Sequence, residues 1–288
     1  LRARLVLLLM LIIVPVFALL LHNAIEARKA EALHTQAEAL RLARLVLQEQ
    51  QDLIAGARQL LPGLARLPSI QAAEGGAACN DVLAKLLEQY PYYANLGVSG
   101  LDGLMRCSGL PMPTPVQIHD RDYFRRAIET GDLAIGSYQV GRVTGKSAIN
   151  LGYPLRGDQG RIEGVIFAAL DLAWLSRKLS NIPLPEGTTI TILDRSGTVL
   201  THQPDPDKWF GKSIKDAPFV RMIIEHDAEG TAESMDAAGV HRLYAFTPLH
   251  QGDSNSVYVS VGIPRDIAYA DLDSRFKRDL IALLIIVV

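Results

Sequence analysis

Arg121, Tyr123, Phe124 and Arg125 crowd arginine and aromatic side chains at the start of a short helical stretch. Further along, Asp171 ends an otherwise apolar strand, GVIFAAL (164–170). A carboxylate in such a place must be paired or capping, because an unpaired buried charge is costly. Two readings follow. In the structural one, Asp171 caps the helix after it and Arg121 is its ion-pair partner. In the chemical one the residues line a pocket: the arginine fork receives a ligand carboxylate, the aspartate receives an ammonium group, and the aromatics form the wall. Residue types alone leave both open.

Other motifs offer less. GRVTGKS (141–147) has three residues between its glycines, where a phosphate-cradling loop needs four, and reads as a hairpin turn between strands. No G-x-S-x-G is present. The seven histidines, at 22, 34, 119, 202, 226, 241 and 250, show no i, i+4 or H-x-H pairing, so no metal site is expected. Asp205 and Asp207 fall in a proline-broken loop, PDPDKW, and read as solvated. No catalytic residue and no cofactor are expected. A binding module therefore ranks above a membrane-anchored enzyme.

The elements that must position these residues lie between two apolar ends. The chain has 288 residues and a net charge of −2, from 29 Lys+Arg against 31 Asp+Glu, which leaves no basic footprint for nucleic acid. Hydrophobic residues make up 49%, enough to exclude wholesale disorder. Leu5 to Leu21 is an uncharged apolar run behind Arg2 and Arg4. As a helix it covers about 25 Å, which with its flanks suits a hydrocarbon core of roughly 30 Å. No small-x-small cleavage site follows, so a retained anchor is expected over residues 1–21 rather than a signal peptide. A second apolar run, Leu280 to Val288, reads as the start of another span, and Leu1 stands where a start Met is expected, so a fragment is anticipated. Two spans around one long segment predict an inner-membrane protein with residues 22–279 outside the cytoplasm. Cys79 and Cys107 are the only cysteines, and in that compartment an even pair suggests a disulfide, with two buried free thiols as the alternative.

From His22 to Leu61 the chain reads as one stalk helix ended by Pro62-Gly63. Leu33, Leu40, Leu47, Ile54 and Leu61 recur every seven residues, with Ala43 and Ala57 offset by three. The stripe predicts either a dimer seam or the face lying on the domain behind it. Beyond the helix an internal repeat runs at an offset of 94 residues. Gly103 matches Gly197 in a turn, Gly136 matches Gly230 at a strand opening, and Pro154 matches Pro248. GVIFAALDL (164–172) matches YVSVGIPRD (258–266), while the helices YFRRAIE (123–129) and FVRMIIE (219–225) are shifted by two. Each copy reads strand, turn, strand, helix and three strands, with hairpin signals at Gly157-Asp158 and Gly252-Asp253. The expected class is α+β with antiparallel sheets.

The order of anchor, long helix, two modules and second anchor resembles the double Cache sensor domains of bacterial transmembrane receptors. The most specific stretches are HDRDYFRRAIETGDLAIGSYQVGRVTGKSAINLGYPL (119–155) and GVIFAALDLAWL (164–175). The resemblance implies two stacked PAS-like modules, membrane-distal over residues 62–181 and membrane-proximal over 182–265. A linker helix then leads into the second span over 266–288. It also implies a ligand in the distal module and an output domain beyond the chain. A sensor histidine kinase is the first expectation for that domain, a diguanylate cyclase the second and a chemoreceptor the third. Amino-acid-binding members resemble a pattern of Arg, any residue, Trp or Tyr, then Tyr, with a later Asp; Arg121, Tyr123 and Asp171 fit it. Phe124 and Val116 stand where tyrosines are usual, and Tyr138 is the candidate to return one hydroxyl. A carboxylate-bearing small molecule is the expected ligand, an amino acid being one option, and a homodimer through the long helix is the expected assembly.

Overall fold

The computed structural model describes residues 2–71, 76–157, 159–249 and 257–270, with 272, 274, 278 and 281; the side chains of 2–13, 16 and 49 lie outside that description. Helix α1 (Arg2–Leu64) is continuous for 63 residues, about 95 Å at the helical rise. Ala, Leu, Glu, Gln and Arg dominate it, residues that lose little side-chain freedom in a helix. It runs past the expected stop, with Pro62 inside its last turn, because Leu61 and Leu64 are both held in the core. Among the described residues no helix is long and apolar enough to cross a membrane. Residues 280 and 282–288 of the second apolar run, and the hairpin signals at Asp158 and Gly252-Asp253, lie outside the described residues.

One face of α1 carries the rest of the molecule. Ala39, Ala43, Val46, Gln50, Ile54, Ala57 and Leu61 are buried along a single stripe. Alanines at three of these positions let the sheets approach the helix closely. Leu40 and Leu47 of the expected heptad pack on the flank of this stripe, whereas Leu33 is 68% exposed. The heptad therefore faces its own domain from Leu40 onward and is not a free dimer seam.

The first module follows with α2 (Pro68–Gln71), α3 (Ala77–Gln89), β1 (Tyr93–Gly100), β2 (Met105–Ser108), α4 (Asp122–Thr130), β3 (Ala134–Val140), β4 (Ser147–Arg156), β5 (Ile162–Asp171) and α5 (Leu172–Leu179). The second contains β6 (Thr189–Asp194), β7 (Val199–Gln203), α6 (Pro206–Trp209), α7 (Pro218–His226), β8 (Gly230–Met235), β9 (His241–Leu249), β10 (Val257–Pro264) and α8 (Arg265–Ala268). Both sheets are antiparallel and five-stranded, ordered β2-β1-β5-β4-β3 and β7-β6-β10-β9-β8. Side chains alternate between faces along each strand. Leu96, Val98, Leu151 and Ile166 meet Ile54, Ala57 and Leu61 of α1. Ile190, Ile192, Val259 and Val261 meet Ala39, Ala43 and Val46 lower on the same helix. The opposite faces are covered by α4 and α7.

The strand ladders show one arrangement used twice with local changes of length. At the 94-residue offset, Val98 opposite Cys107 becomes Ile192 opposite Thr201. Gly103 and Gly197 both hold positive φ, at 74° and 77°, and each carbonyl accepts from the strand crossing it, at Ile118 and Ile214. Helix α4 and strand β3 map onto α7 and β8 two residues further on. Ala134, opposite Gly152, thus corresponds to Gly230, opposite Phe246. Gly230 is accordingly the counterpart of Ala134 rather than of Gly136. A bulge in β3 between Ile135 and Tyr138 takes up one of these two residues, so Tyr138, opposite Ile149, corresponds to Glu233, opposite Leu243. Phe167, opposite Gly97 and Gly152, corresponds to Ser260, opposite Thr191 and Phe246. The last strand is therefore offset by one residue less than expected, and Asp171 corresponds to Pro264. Each of the two precedes a helix.

Cys79 on α3 and Cys107 on β2 form a disulfide with Cα atoms 6.1 Å apart. It fixes α3 over the face of the first sheet that also meets α1. Closing a loop with a sequence separation of 28 restricts the unfolded chain, an effect of about 3.5 kcal/mol on the chain-entropy model. The double substitution Cys79→Ser/Cys107→Ser should lower stability by that order in denaturant titrations, and wild-type protein should show the same loss under reductant.

Candidate functional site

Behind α4 the outer face of the first sheet encloses a cavity of about 30 Å³. Its floor is Asn95 on β1, Asn150 on β4, and Phe167 and Ala169 on β5; its roof is Arg121, Tyr123 and the turn Gly141–Thr144. Gly136 and Gly152 allow α4 to lie this close, since a Cβ on Gly152 would stand 2.9 Å from the Tyr123 carbonyl. The volume is far below the roughly 300–1,000 Å³ usual for a ligand pocket.

The polar groups differ in how committed they are. Asn95 and Ser108 satisfy each other, at 2.9 and 3.1 Å. Asn150 sits beside the Tyr123 phenol, and its Oδ1 is buried without a hydrogen-bond partner. Burial pushes the Tyr123 phenol above its ordinary range, so it remains protonated. Arg121, the N-cap residue of α4, donates from Nη2 to the Val140 carbonyl at 3.1 Å. Among the described residues no carboxylate lies within ion-pair distance of that guanidinium. Arg142 is held instead by Asp120 through two bonds of 2.7 Å, and it also donates to the Gln117 carbonyl. The Arg142 guanidinium pulls the Asp120 carboxyl down to about 2.

Asp171 is buried, and it does not pair with Arg121 as the structural reading expected. Its Oδ1 caps α5, accepting from the backbone N–H groups of Ala173 and Trp174 at 2.9 and 3.0 Å. Its Oδ2 accepts from Lys146 Nζ at 2.9 Å. Burial works against this charge, but the ammonium and the two N–H groups outweigh it and hold the carboxyl below its ordinary value. Phe124 packs into the core under α4, and Tyr138 turns toward the second module, its hydroxyl 3.0 Å from Ser147 Oγ. Of the five residues singled out in the sequence, Arg121 and Tyr123 line the cavity; Phe124, Tyr138 and Asp171 do not. Asn95, Asn150, Gln139 and Arg142 line it without having been anticipated. Asn150 had a signal, an amide inside the apolar strand AINLGY (148–153).

The same place in the second module is filled. Tyr244 stands where the first sheet has Asn150, and its ring stacks on Phe219, the counterpart of Tyr123, with centroids 4.6 Å apart and planes within 1°. Arg242, at the position of Ala148, forms a buried ion pair with Asp236 at 2.7 Å. His202, bonded to Thr191 at 2.9 Å, is pushed down to about 4 by burial and stays neutral. Among the described residues no group of three or more His, Cys, Asp or Glu is placed to hold a metal ion.

A family model for the Cache domain, in its double form, matches residues 21–272. The chain belongs to that family of extracytoplasmic sensor domains. Solved structures agree in fold. The extracellular domain of the histidine kinase rpHK1S-Z16 is 18% identical with a TM-score of 0.71, over 81% of this chain and 96% of that one. The ligand-binding domain of the Pseudomonas aeruginosa amino acid chemoreceptor PctB, solved with L-Arg, is 16% identical with a TM-score of 0.63, over 82% and 97%. That of the Pseudomonas fluorescens chemoreceptor CtaA, solved with L-leucine, is 18% identical with a TM-score of 0.61, over 84% and 98%.

The Asp120–Arg142 pair fastens the roof, and its pH dependence has a definite sign. A carboxyl lowered from its ordinary 3.8 to about 2 contributes fully above pH ~4 and is lost as pH falls through the folded value. Carboxyl-carbon NMR should show Asp120 titrating near 2 in the wild type and near 4 in Arg142→Ala.

Proposed function

We propose that the chain is the ligand-sensing region of a transmembrane receptor, and that a small carboxylate bound in the first module is its signal. One observation carries this reading. Arg121 presents a guanidinium with no acidic partner among the described residues to a cavity whose other polar side chains are amides, a phenol, the Thr144 hydroxyl and Arg142, the last already paired with Asp120. A cation so placed is suited to a forked, charge-assisted bond from a carboxylate. Asn150 Oδ1, unpartnered and buried, supplies an acceptor for a ligand hydroxyl or N–H. Relatives solved with L-Arg, L-leucine, L-serine and L-alanine support an amino acid or a related acid as the class.

In this reading residues 1–21 anchor the chain and 22–61 form the stalk. Residues 62–181 are the distal module, 182–265 the proximal one, and 266–288 lead into a second span. Residues 22–279 then lie outside the inner membrane, and the output domain, a histidine kinase by first preference, follows. A homodimer through α1 would use its membrane-near part, where Leu21, Ile25 and Leu33 are exposed.

Melting temperature and calorimetry against a panel of short carboxylates and amino acids test the proposal. Arg121→Lys keeps the charge and loses the fork. Affinity should fall by roughly 10-fold to 150-fold, the worth of one hydrogen bond to a charged group, with the melting temperature of the free protein unchanged. Unchanged affinity in a folded variant would move the site elsewhere. Failure of the whole panel to bind would favour a structural or partner-binding ectodomain.

A further inference from the structure

Asp171 shares a face of β5 with Phe167 and Ala169, which floor the cavity, and stands one step beyond them opposite Ala148. It is the carboxylate a ligand ammonium would seek at that end of the site. Both of its oxygens are engaged from within the chain: Oδ1 by two backbone N–H groups, Oδ2 by Lys146. Lys146 belongs to the turn that roofs the cavity. Gly141 N–H donates to the Lys146 carbonyl at 2.9 Å and Gly145 N–H to the Gly141 carbonyl at 2.8 Å, so the lysine leaves a closed turn aimed at Asp171.

We propose that Lys146 is a specificity residue: its ammonium occupies Asp171 in place of a ligand's, so the pocket accepts a carboxylate without an α-ammonium group and disfavours the matching amino acid. The inference rests on the carboxylate reading of Arg121 and narrows it. A second ammonium at Asp171 meets like-charge repulsion from the first, and admitting it means breaking a charge-assisted bond to a carboxylate only 4% exposed. The Lys146 side chain is itself 56% exposed and free to swing into water. Discrimination is therefore a contest of affinities, and removing the lysine should reverse it.

Calorimetry on the purified full chain with two matched pairs, propionate with L-alanine and 4-methylpentanoate with L-leucine, reads this directly. Wild-type protein should bind the acid lacking the amine more tightly by about tenfold or more, one charge-assisted contact's worth. Lys146→Met and Lys146→Gln should erase or invert the ratio by strengthening the amino acid, while Lys146→Arg keeps it. Circular dichroism confirms folding of each variant, and the wild-type ratio decides alone where a variant fails to fold. An amino acid bound by wild type as tightly as its matched acid, or a ratio unmoved in folded Lys146→Met, overturns the role of Lys146 and leaves the carboxylate site standing. Binding of neither member of either pair by any protein overturns the carboxylate reading and this inference with it.

Discussion

Everything in this molecule is referred to one face of α1. A stripe of small and branched apolar residues, from Ala39 to Leu61, is buried under two separate sheets. Each sheet alone would leave one face exposed, and a helix alone would leave its stripe in water. Sharing the helix solves both problems and fixes the two modules in line. The helix is long because it must reach past one sheet to the other. Alanine at three stripe positions sets the spacing, since larger residues there would push the sheets away. Nearer the chain start the helix lies beyond both sheets, and Leu21, Ile25 and Leu33 are exposed there.

The two modules show how one topology can hold a cavity behind the covering helix in one copy and fill the same place with side chains in the other. Their strand orders are identical, and their ladders can be aligned residue by residue. The difference lies in what projects behind the covering helix. Asn150 and Ala148 leave room in the first copy; Tyr244 and Arg242 occupy it in the second. An aromatic stack and a buried ion pair make the second copy a solid support. In the first copy the buried Oδ1 of Asn150 is left without a hydrogen-bond partner.

The two copies are also physically continuous through Asp171 and α5. Asp171 caps α5, and α5 buries Leu172, Leu175 and Leu179 in the core of the second module. Gln203 of β7 donates to both the carbonyl and the hydroxyl of Ser176 on that helix. A change at Asp171 is therefore felt by an element packed into the neighbouring sheet as well as by its own. The turn that carries Lys146 and Arg142 is tied at one end to Asp171 and at the other to Asp120. The roof over the cavity is thus fastened by two ion pairs, and both involve side chains that reach it across the chain.

Much of this architecture was legible in the residue order, because periodicity and turn chemistry are local. The long helix, the strand-and-helix order of each copy, the duplication and the pairing of the only two cysteines all follow from spacing and composition. The exact offsets did not, since a bulge and loops of unequal length shift register without leaving a mark in a gapless comparison. The lining of the cavity was half visible. Arg121 and Tyr123 belong to it by local sequence, and the need for Asp171 to be paired or capping followed from burial cost alone. Which cation pairs with Asp171 could not be read, because Lys146 reaches it only when β4 lies beside β5. Nor could the direction of the heptad stripe be read, because both outcomes bury the same residues. Three-dimensional adjacency decided these points, and charge pairing and packing are properties of neighbours in space.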